Sequence, residues 1–509
     1  MTSFHQAYAD PSPGIEILGV RIFADPLRAL FAVLGLALLW SVLVRLPFLW
    51  VNEADDSIYD AISFLWTKGY LPYRDAYDVK PPGIFALDAL ARHVFGGGLA
   101  PLRAIEIVSD AIISACLYYM GSRMGSRAAG WLAALLFPPL SVFAICNAAY
   151  SPLCAFTTLA FASLLTPWPL FARALGAGLA IGATCCIKQT AAFEGIVVLA
   201  ALIMWPDIHG GRVRVLAAFG AAAVVAPLAF LIYFAAHGAA GALAEATIGG
   251  AMARAHSPLE NLSFWQGLER APRKLLTIEP LLLGAALAYV RRDRKFGPDR
   301  AALLLVGAWI AASLASFLVQ HAIIVAYGAP LIAPTLLLAS FAVVDRSLPL
   351  SRLYGAPLLL GATALFFAVH WPADHVENRP PEGLDRVAEI LRSRAPGADD
   401  RLYVVNHGVW PYAATGLAPP TPYLVNLITL CELLPGGERR LIDIFDARPR
   451  FVIVGDRRVR AACEMEARWE IVEARLRSEY RRIGVVDPNG ENYEIFERAP
   501  EPSLTDETK

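Results

Sequence analysis

Residues 52–83 read NEADDSIYDAISFLWTKGYLPYRDAYDVKPPG, and this stretch follows directly on an apolar run, residues 26–50, that is long enough to cross a bilayer. The stretch therefore begins at a membrane surface. It brings there six acids and a lysine that stands just before two prolines: Glu53, Asp55, Asp56, Asp60, Asp75, Asp78 and Lys80. Because charges held this close to hydrocarbon are costly, we interpret the stretch as a functional site. The alternative is a solvated interfacial loop whose acids simply face water.

The first part of this stretch, residues 54–68, has the pattern of an amphipathic helix. Its apolar positions recur at helical spacing: Ile58, Ala61, Ile62 and Leu65. At about 100° per residue, the side chains opposite that face are those of Glu53, Asp56 and Asp60. Asp55 and Tyr59 lie on its flank. Such a helix can lie on the membrane with its acids turned to water or to a cavity. A second, shorter helix is predicted at 83–95, with apolar positions at Ile84, Leu87, Leu90 and Val94.

The composition is that of a chain that crosses a membrane many times. The 509 residues are 56% hydrophobic and 17% charged, with a mean hydropathy of +0.49, whereas soluble domains contain about 25% charged residues. The net charge of −1 gives no general attraction to nucleic acid, so the predicted partners include a lipid bilayer and no nucleic acid. Runs of spanning length predict a polytopic α-helical membrane protein of about 11 spans, within a range of about 10–13: 27–50, 101–120, 128–146, 150–166, 171–187, 190–205, 213–236, 273–290, 301–319, 322–343 and 353–371.

Arginine and lysine in the connections predict the orientation of these spans. One alternating set of connections is rich in them, from Arg21 near the N-terminus to Arg352, and is therefore assigned to the cytoplasm. The short connections of the other set, at 146–150, Lys188 and 320–321, together hold a single basic residue, Lys188. If residues 83–97 stay on the surface, the prediction is a cytoplasmic tail at 1–26, a transmembrane domain at 27–371 with a first outer loop at 51–100, and an outside segment at 372–509.

Residues 372–509 change abruptly in composition and are predicted to form a C-terminal α/β extracytoplasmic domain. Apolar periodicity predicts helices and strands in this part: helices at 383–394, 441–447 and 467–480, and strands at 401–405 and 451–454. Two further strands, 480–486 and 492–496, flank the sequence Asp487-Pro488-Asn489-Gly490 and predict a β-hairpin. Cys431 and Cys463 lie in the same polar part and can pair in an oxidising compartment.

Residues 69–83, GYLPYRDAYDVKPPG, together with an acidic motif just after the first span, resemble a known family. It is the multi-spanning C-type (GT-C) glycosyltransferases that use lipid-phosphosugar donors, such as protein O-mannosyltransferases and the aminoarabinose transferase that modifies lipid A. The resemblance covers the N-terminal third by motif and the later spans by architecture. The family's first loop usually opens with Asp-Glu, whereas this chain has Asn52-Glu53. The acid role therefore stays open among Glu53, Asp55 and Asp56.

The resemblance implies an inverting transfer from a polyprenyl-phosphate sugar to an acceptor hydroxyl on a glycan, lipid or protein. It also implies a bacterial inner membrane, a reaction at its outer face, and a role in cell envelope polysaccharide. One of the three acids would take the acceptor proton, with Asp75 or Asp78 as the next candidates. Cations and polar groups would bind the donor phosphate: Lys80, Arg74, Tyr327 and His321. Further pocket candidates are Tyr59, Asp78, Asn147 and Arg270.

The sequence contains no metal-ligand spacing such as HxxxH or CxxC and no nucleotide-binding glycine loop. No metal and no cofactor are therefore expected, and the polyprenyl-phosphate sugar is a substrate. Glu106 and Asp110, with Arg103 one turn before them, leave open a pocket wall or an internal ion pair.

Two other functions fit the same pattern. One is a transporter or flippase for lipid-linked glycans, and the other is an inactive acceptor-binding subunit, which Asn52 at the position of the family's Asp would explain. A transporter places charges near the bilayer midplane on paired discontinuous helices. Here the acids cluster at one face of the membrane, which favours a transferase.

Overall fold

The computed structural model describes residues 16–17, 20–21, 26–49, 54–144, 147–204, 211–257, 300–320, 325–344, 383–405, 408–455, 463–486 and 493–500. The chain divides into two compact units. The first unit comprises Met1–Val51, Arg103–Phe230 and Phe264–Glu377, and the second comprises Asn52–Leu102, Leu231–Ser263 and Asn378–Lys509. The loop that follows the first apolar run therefore belongs to the same unit as the C-terminal segment.

Helices account for most of the described residues up to 344, and they follow the apolar runs of the sequence. In chain order they are α1 (Pro26–Arg45), α2 (Ala54–Thr67), α3 (Gly83–Phe95), α4 (Leu99–Arg123), α5 (Arg127–Ala144), α6 (Tyr150–Leu164), α7 (Leu170–Cys185), α8 (Ala192–Ile203), α9 (Arg212–Ala236), α10 (Ala240–Ala244), α11 (Ala251–Ala255), α12 (Arg300–Val319) and α13 (Ala329–Val344). A π-helix, Glu245–Gly250, joins α10 to α11. Two short strands, β1 (Glu16–Ile17) and β2 (Val20–Arg21), pair antiparallel near the N-terminus.

Three stretches among the described residues are long and apolar enough to span a membrane: Phe31–Phe48, Arg212–Ala236 and Arg300–Val319. Five shorter apolar helices accompany them: Arg127–Val142, Tyr150–Leu164, Leu170–Cys185, Gln189–Ile203 and Ala329–Val344. The predicted spans 273–290 and 353–371 lie outside the described residues. The mostly helical, membrane-type fold is thus confirmed, and the number of about eleven spans stays a prediction.

Small residues let helices of the first unit approach one another closely. Gly178 and Gly182 lie one turn apart on α7 and face the backbone of α9. A Cβ atom at Gly178 would lie 2.4 Å from the carbonyl oxygen of Phe219, and one at Gly182 would lie 2.3 Å from that of Ala223. Any larger residue would force the two helices apart, which is the type of contact that small residues supply between membrane helices.

A buried cluster of charges joins three helices of the first unit. The guanidinium of Arg45 on α1 donates to Glu106 and to Asp110 on α4, both at 2.7 Å, and Arg103 also pairs with Glu106. The hydroxyl of Ser141 on α5 donates to Asp110 at 2.8 Å. All these charged side chains are buried. Of the two interpretations left open by the sequence, the internal ion pair is therefore confirmed, with Arg45 as a partner that local spacing did not indicate.

The C-terminal segment contains a four-stranded sheet in the order β3-β4-β6-β5, formed by β3 (Leu402–Val405), β4 (Phe451–Val454), β5 (Tyr480–Val486) and β6 (Tyr493–Arg498). Strand β3 pairs parallel with β4, and the other pairs are antiparallel. Every residue of β3 and β4 is buried, as expected for strands that read as continuous apolar runs. The hairpin of β5 and β6 is confirmed, and its predicted turn lies outside the described residues.

Five helices surround this sheet: α14 (Leu384–Arg392), α15 (Trp410–Thr415), α16 (Asn426–Thr429), α17 (Gly437–Asp446) and α18 (Glu466–Glu479). The sequence predicted α14 and α18 closely, placed the start of α17 four residues too late, and missed the short helices α15 and α16. The apolar core lies between the sheet and the helices, and it contains Trp469 and Phe445 together with residues of β3 and β4. The predicted pairing of Cys431 with Cys463 is confirmed, with their Cα atoms 5.2 Å apart.

The faces of α2 and α3 differ from the sequence prediction. Asp56 and Asp60 are buried, at 0% and 1% exposure, and do not face water. Of the apolar positions predicted on α3, Ile84 is buried, whereas Leu90 and Val94 are 67% and 75% exposed. Asp88 on the same helix is fully buried. The physical reason is charge pairing, since the polar side of α3 turns inward to meet the acids of α2.

Candidate active site

Lys80 lies at the centre of a cluster of charges in the second unit. Its ammonium nitrogen Nζ is 3.1 Å from Oδ2 of Asp55 and 3.7 Å from Oδ2 of Asp78. The same ammonium lies 5.1 Å from the ring centroid of Tyr59, whose hydroxyl donates to Oδ2 of Asp55 at 3.4 Å. The side chain of Lys80 is 19% exposed, that of Asp55 35% and that of Asp78 7%. The cluster is thus largely shielded from water, and Asp55 is its most exposed member.

Tight turns between α2 and α3 fix the position of Lys80. Gly69, just after the end of α2, has a φ of 93°. Tyr73 has a φ of 72°, and its N–H donates to the carbonyl of Ala76 at 2.7 Å, which closes a second turn. Oδ1 of Asp78 accepts the backbone N–H of Lys80 at 2.8 Å, an Asx-type turn just before two prolines that have no N–H to donate. The hydroxyl of Tyr73 donates to the carbonyl oxygen of Lys80 at 2.8 Å.

Electrostatics keep Lys80 charged. Burial by itself lowers the pKa of the Lys80 ammonium, but the negative charges of Asp55 and Asp78 raise it by more, so its pKa lies above the ordinary value. The positive charge of Arg254 on α11 acts in the opposite direction and lowers it. Arg254 is therefore a second cation near this cluster, contributed by a segment more than a hundred residues away along the chain.

Behind the Lys80 cluster, Arg92 of α3 is shared between two buried acids. It forms a short ion pair with Asp60, whose Oδ1 also accepts the N–H of Gly98 at 3.0 Å. Its distance to Asp88 is 4.0 Å. Burial raises the pKa of Asp60 although Arg92 opposes the shift, and burial together with the charge of Asp60 raises the pKa of Asp88 to about 8. These acids hold α2 against α3 and are not open to a substrate.

A second polar cluster lies in the first unit. The ammonium of Lys188 lies over the rings of Tyr150 and Tyr327, at 4.4 and 3.8 Å from their centroids, and contacts the Tyr150 hydroxyl. A narrow pocket beside them is lined by Glu194 of α8, whose Oε1 accepts the hydroxyl of Ser313 at 2.9 Å. The sequence indicated Tyr327 as a donor-phosphate residue together with Lys80, and the structure places its ring beside Lys188. The sequence did not indicate Tyr150 or Glu194, because their proximity depends on the packing of distant helices.

Two predicted site residues, Arg74 and Asn147, make hydrogen bonds to residues close to them in the sequence. The guanidinium of Arg74 donates to both carboxylate oxygens of the neighbouring Asp75, at 2.9 and 2.7 Å, and does not pair with the Lys80 cluster. The pKa of Asp75 lies below its ordinary value, since burial raises it but the hydrogen bonds and charge of Arg74 lower it by more. Asn147 is buried, and its Oδ1 accepts the N–H of Ala149 at 3.0 Å, just before α6 begins.

Three predicted site residues, Glu53, His321 and Arg270, lie outside the described residues, as does Asn52. The structure brings together Asp55, Tyr59, Asp78 and Lys80, and it buries Asp56 at the start of α2. Within the described ranges, no group of three or more His, Cys, Asp or Glu side chains is arranged to hold a metal ion.

The fold matches those of solved membrane proteins. ArnT from Cupriavidus metallidurans, solved bound to undecaprenyl phosphate, shares 15% of residues with this chain at a TM-score of 0.63, and the match covers 93% of this chain and 98% of that one. The archaeal oligosaccharyltransferase AglB from Archaeoglobus fulgidus, in complex with an inhibitory peptide and a dolichol-phosphate, shares 11% at a TM-score of 0.53, with 84% and 69% covered. The arabinofuranosyltransferase AftD from Mycobacteria shares 14% at a TM-score of 0.51, with 92% and 41% covered.

No family model and no curated protein sequence matches this chain. The structural matches define its fold as that of the C-type glycosyltransferases, and they do so over almost the whole of the chain. The resemblance that residues 69–83 indicated is therefore confirmed at the level of the fold.

Proposed function

We propose that the protein transfers a sugar from a polyprenyl-phosphate donor to an acceptor hydroxyl, with the Lys80 cluster as the reaction centre. One observation carries this proposal: a largely shielded ammonium and a partly exposed carboxylate, those of Lys80 and Asp55, lie 3.1 Å apart. Transfer from a phosphate needs a cation for the departing group and a base for the acceptor proton. The fold shared with ArnT, solved with undecaprenyl phosphate, and AglB, solved with a dolichol-phosphate, favours this donor class.

Lys80 is assigned to the donor phosphate. It carries a full positive charge, since its pKa lies above the ordinary value, and it is held by backbone and side-chain contacts of Asp78. A cation fixed before the reaction stabilises the negative charge that grows on the phosphate without reorganising during it. Arg254 is the second cation that we place near the phosphate, because its charge already acts on Lys80.

Asp55 is assigned as the base. Of the acids that α2 contributes within the described residues, Asp55 is partly exposed, whereas Asp56 and Asp60 are buried. Its carboxylate contacts Lys80 and Tyr59, which orient it without covering it. Asp78 is less suited, since one of its oxygens is used by the backbone of Lys80. Glu53 lies outside the described residues and remains the alternative.

The reaction that we propose is one displacement at the anomeric carbon. The acceptor oxygen attacks that carbon while Asp55 takes its proton, and the bond between the carbon and the phosphate oxygen breaks. The polyprenyl phosphate leaves with the bonding electron pair, and its added negative charge is stabilised by Lys80. Attack from the face opposite the phosphate inverts the anomeric configuration. The acceptor is a hydroxyl of a glycan, lipid or protein at the outer face of the membrane.

The outer location has its own test, which uses exposed positions of the second unit. Single cysteines introduced as Lys68→Cys in the first loop and Glu389→Cys on α14 should both react with a membrane-impermeant maleimide in intact cells. The native cysteines Cys116, Cys154 and Cys186 are buried, and the partly exposed Cys185 is replaced by serine in the labelling background. Labelling of the two positions only after cell lysis would contradict the proposed outer location.

The function is tested by the lipid and glycan profile of a strain that lacks the protein. The proposal predicts accumulation of a polyprenyl-phosphate sugar and loss of that sugar from an envelope glycan, lipid or protein. Complementation with the wild-type chain should restore the profile, and complementation with Asp55→Asn should not. A profile without either change would argue against a transferase. Accumulation of a whole lipid-linked glycan would instead indicate the flippase.

A further inference from the structure

The C-terminal segment contacts the first loop at a point three residues before Lys80. The backbone N–H of Tyr77 donates to the carbonyl oxygen of Pro422 at 2.8 Å. The ring of Tyr77 packs against that of Tyr423, with centroids 5.5 Å apart, and the guanidinium of Arg440 lies 4.7 Å from the centroid of the Tyr423 ring. Tyr77 itself is 4% exposed. One side of the loop is thus held by residues that follow it by more than 340 positions.

The other side of Tyr77 meets the π-helix, and the contact requires a glycine there. A Cβ atom at Gly250 would lie 2.2 Å from the Tyr77 hydroxyl oxygen, 3.4 Å from its Cζ and 3.1 Å from Cγ1 of Val79. Real Cβ atoms essentially never approach a neighbour this closely, so an added methyl must displace the buried Tyr77 side chain, the loop that carries it or the helix. A Cβ at the adjacent Gly249 would meet nothing within 4 Å. Short π-helical turns within helices are frequent at functional sites.

A shift of Tyr77 would also move Lys80, because only two residues separate them and both ends of this segment are held by hydrogen bonds. Asp78 follows Tyr77 directly and binds both the backbone N–H and the ammonium of Lys80. Val79, the second residue that a Cβ at Gly250 would press, precedes Lys80. Two prolines follow, so the segment has little freedom to absorb a shift. A misplacement of about 1 Å at a reaction centre is enough to cost about 100-fold in rate.

We propose that Tyr77 is a positioning residue for Lys80, clamped between Gly250 of the π-helix and Tyr423 of the C-terminal segment. This inference rests on the proposed function, because it takes Lys80 to bind the donor phosphate. The clamp sets the distance between the ammonium and the phosphate. It also gives the C-terminal segment a part in donor binding.

The test measures binding of undecaprenyl phosphate to the full-length protein in detergent, for wild type, Gly250→Ala, Gly249→Ala and the double variant Gly250→Ala/Tyr77→Phe. We expect Gly250→Ala to weaken binding by about 10-fold or more and Gly249→Ala, which adds the same methyl to the same π-helix, to leave it unchanged. The double variant should regain most of the loss, because phenylalanine removes the oxygen that the new methyl would meet. Recovery of this kind is not expected from a general loss of structure.

The results for the Gly250 and Tyr77 variants test the positioning role, and the result for Lys80→Ala tests the proposed function. Wild-type affinity in Gly250→Ala, or no recovery in a folded double variant, overturns the positioning role. If Gly250→Ala does not give a monodisperse protein, Tyr77→Ala carries the test, since it opens space and creates no clash; it should weaken binding about 10-fold, and unchanged binding would again overturn the role. Lys80→Ala is measured in parallel. Binding as tight as wild type in that variant overturns the proposed function, and the positioning role with it.

Discussion

Asp88 contributes to the pH dependence of stability, and its contribution can be removed by substitution. It is fully buried on α3, and within the described residues neither of its carboxylate oxygens makes a hydrogen bond. The hydroxyl of Ser63 donates instead to the carbonyl of Phe85, and Arg92, at 4.0 Å, is shared with Asp60. Burial and the charge of Asp60 raise the pKa of Asp88 to about 8. The folded protein therefore holds a proton that the unfolded chain releases near pH 4.

The sign follows from proton binding in the two states. Between about pH 4 and pH 8 the folded state binds more protons at Asp88 than the unfolded state, so stability falls as pH rises through this window. At about 1.4 kcal/mol for each pH unit, the loss from pH 5.5 to pH 8 is about 3 kcal/mol as an upper limit. The variant Asp88→Asn keeps the shape and carries no ionisable proton. It should abolish this part of the loss and raise stability most at alkaline pH.

The assay is the apparent melting midpoint of the purified protein in detergent at pH 5.5 and pH 8.5. Wild type should lose more stability than Asp88→Asn between the two values. Asp443→Asn on α17 is the matched control, since Asp443 is a partly exposed acid in a surface ion pair with Arg439, and it should follow wild type at both pH values. If wild type and Asp88→Asn lose the same stability on going to pH 8.5, the carboxyl of Asp88 is not the group that titrates.

Two further predictions concern the acids of α2 and the disulfide. Asp55→Asn should abolish transfer, whereas Asp56→Asn, at a fully buried position, should only reduce it. Transfer that survives Asp55→Asn but not Glu53→Gln would move the base to Glu53. Replacing Cys431 and Cys463 by serine should destabilise the C-terminal segment by about 3–4 kcal/mol, since the bond joins residues 32 apart in sequence. An unchanged melting midpoint in the serine variant would contradict this.

Much of the local structure was predictable from the sequence because it is encoded locally. Apolar spacing predicted α2 and the strands β3 and β4, and the sequence between β5 and β6 predicted their hairpin. The lysine before two prolines and the acids of α2 also pointed to Lys80 and Asp55, which the structure brings together. Their role as a reaction centre stays a prediction. Asp55 and Lys80 are 25 positions apart, and the intervening turn signals, Gly69 and Pro72, return the chain toward α2.

The parts that were missed depend on partners far along the chain. Asp60 was expected to face water or a cavity, since its own helix shows only that it is opposite the apolar side. Its burial requires Arg92 on α3, which the sequence does not link to it. In the same way, Arg254 and the residues that contact Tyr77 belong to distant segments, and the apolar spacing of the sequence does not predict how those segments pack against the first loop. Charge pairing and close backbone contact between distant segments decide these features.

The central claim is that the ammonium of Lys80 binds the phosphate of a polyprenyl-phosphate donor. Its most direct test is the affinity of the purified protein for undecaprenyl phosphate, compared among wild type, Lys80→Ala, Lys80→Arg and Lys68→Ala. A hydrogen bond to a charged group contributes about 1.5–3 kcal/mol, so Lys80→Ala should bind about 10- to 100-fold more weakly. Lys80→Arg should keep part of the affinity because the charge remains while the geometry changes. Lys68 is an exposed lysine just after α2, and Lys68→Ala should bind as wild type does. Equal affinities for Lys80→Ala and Lys68→Ala would contradict the claim.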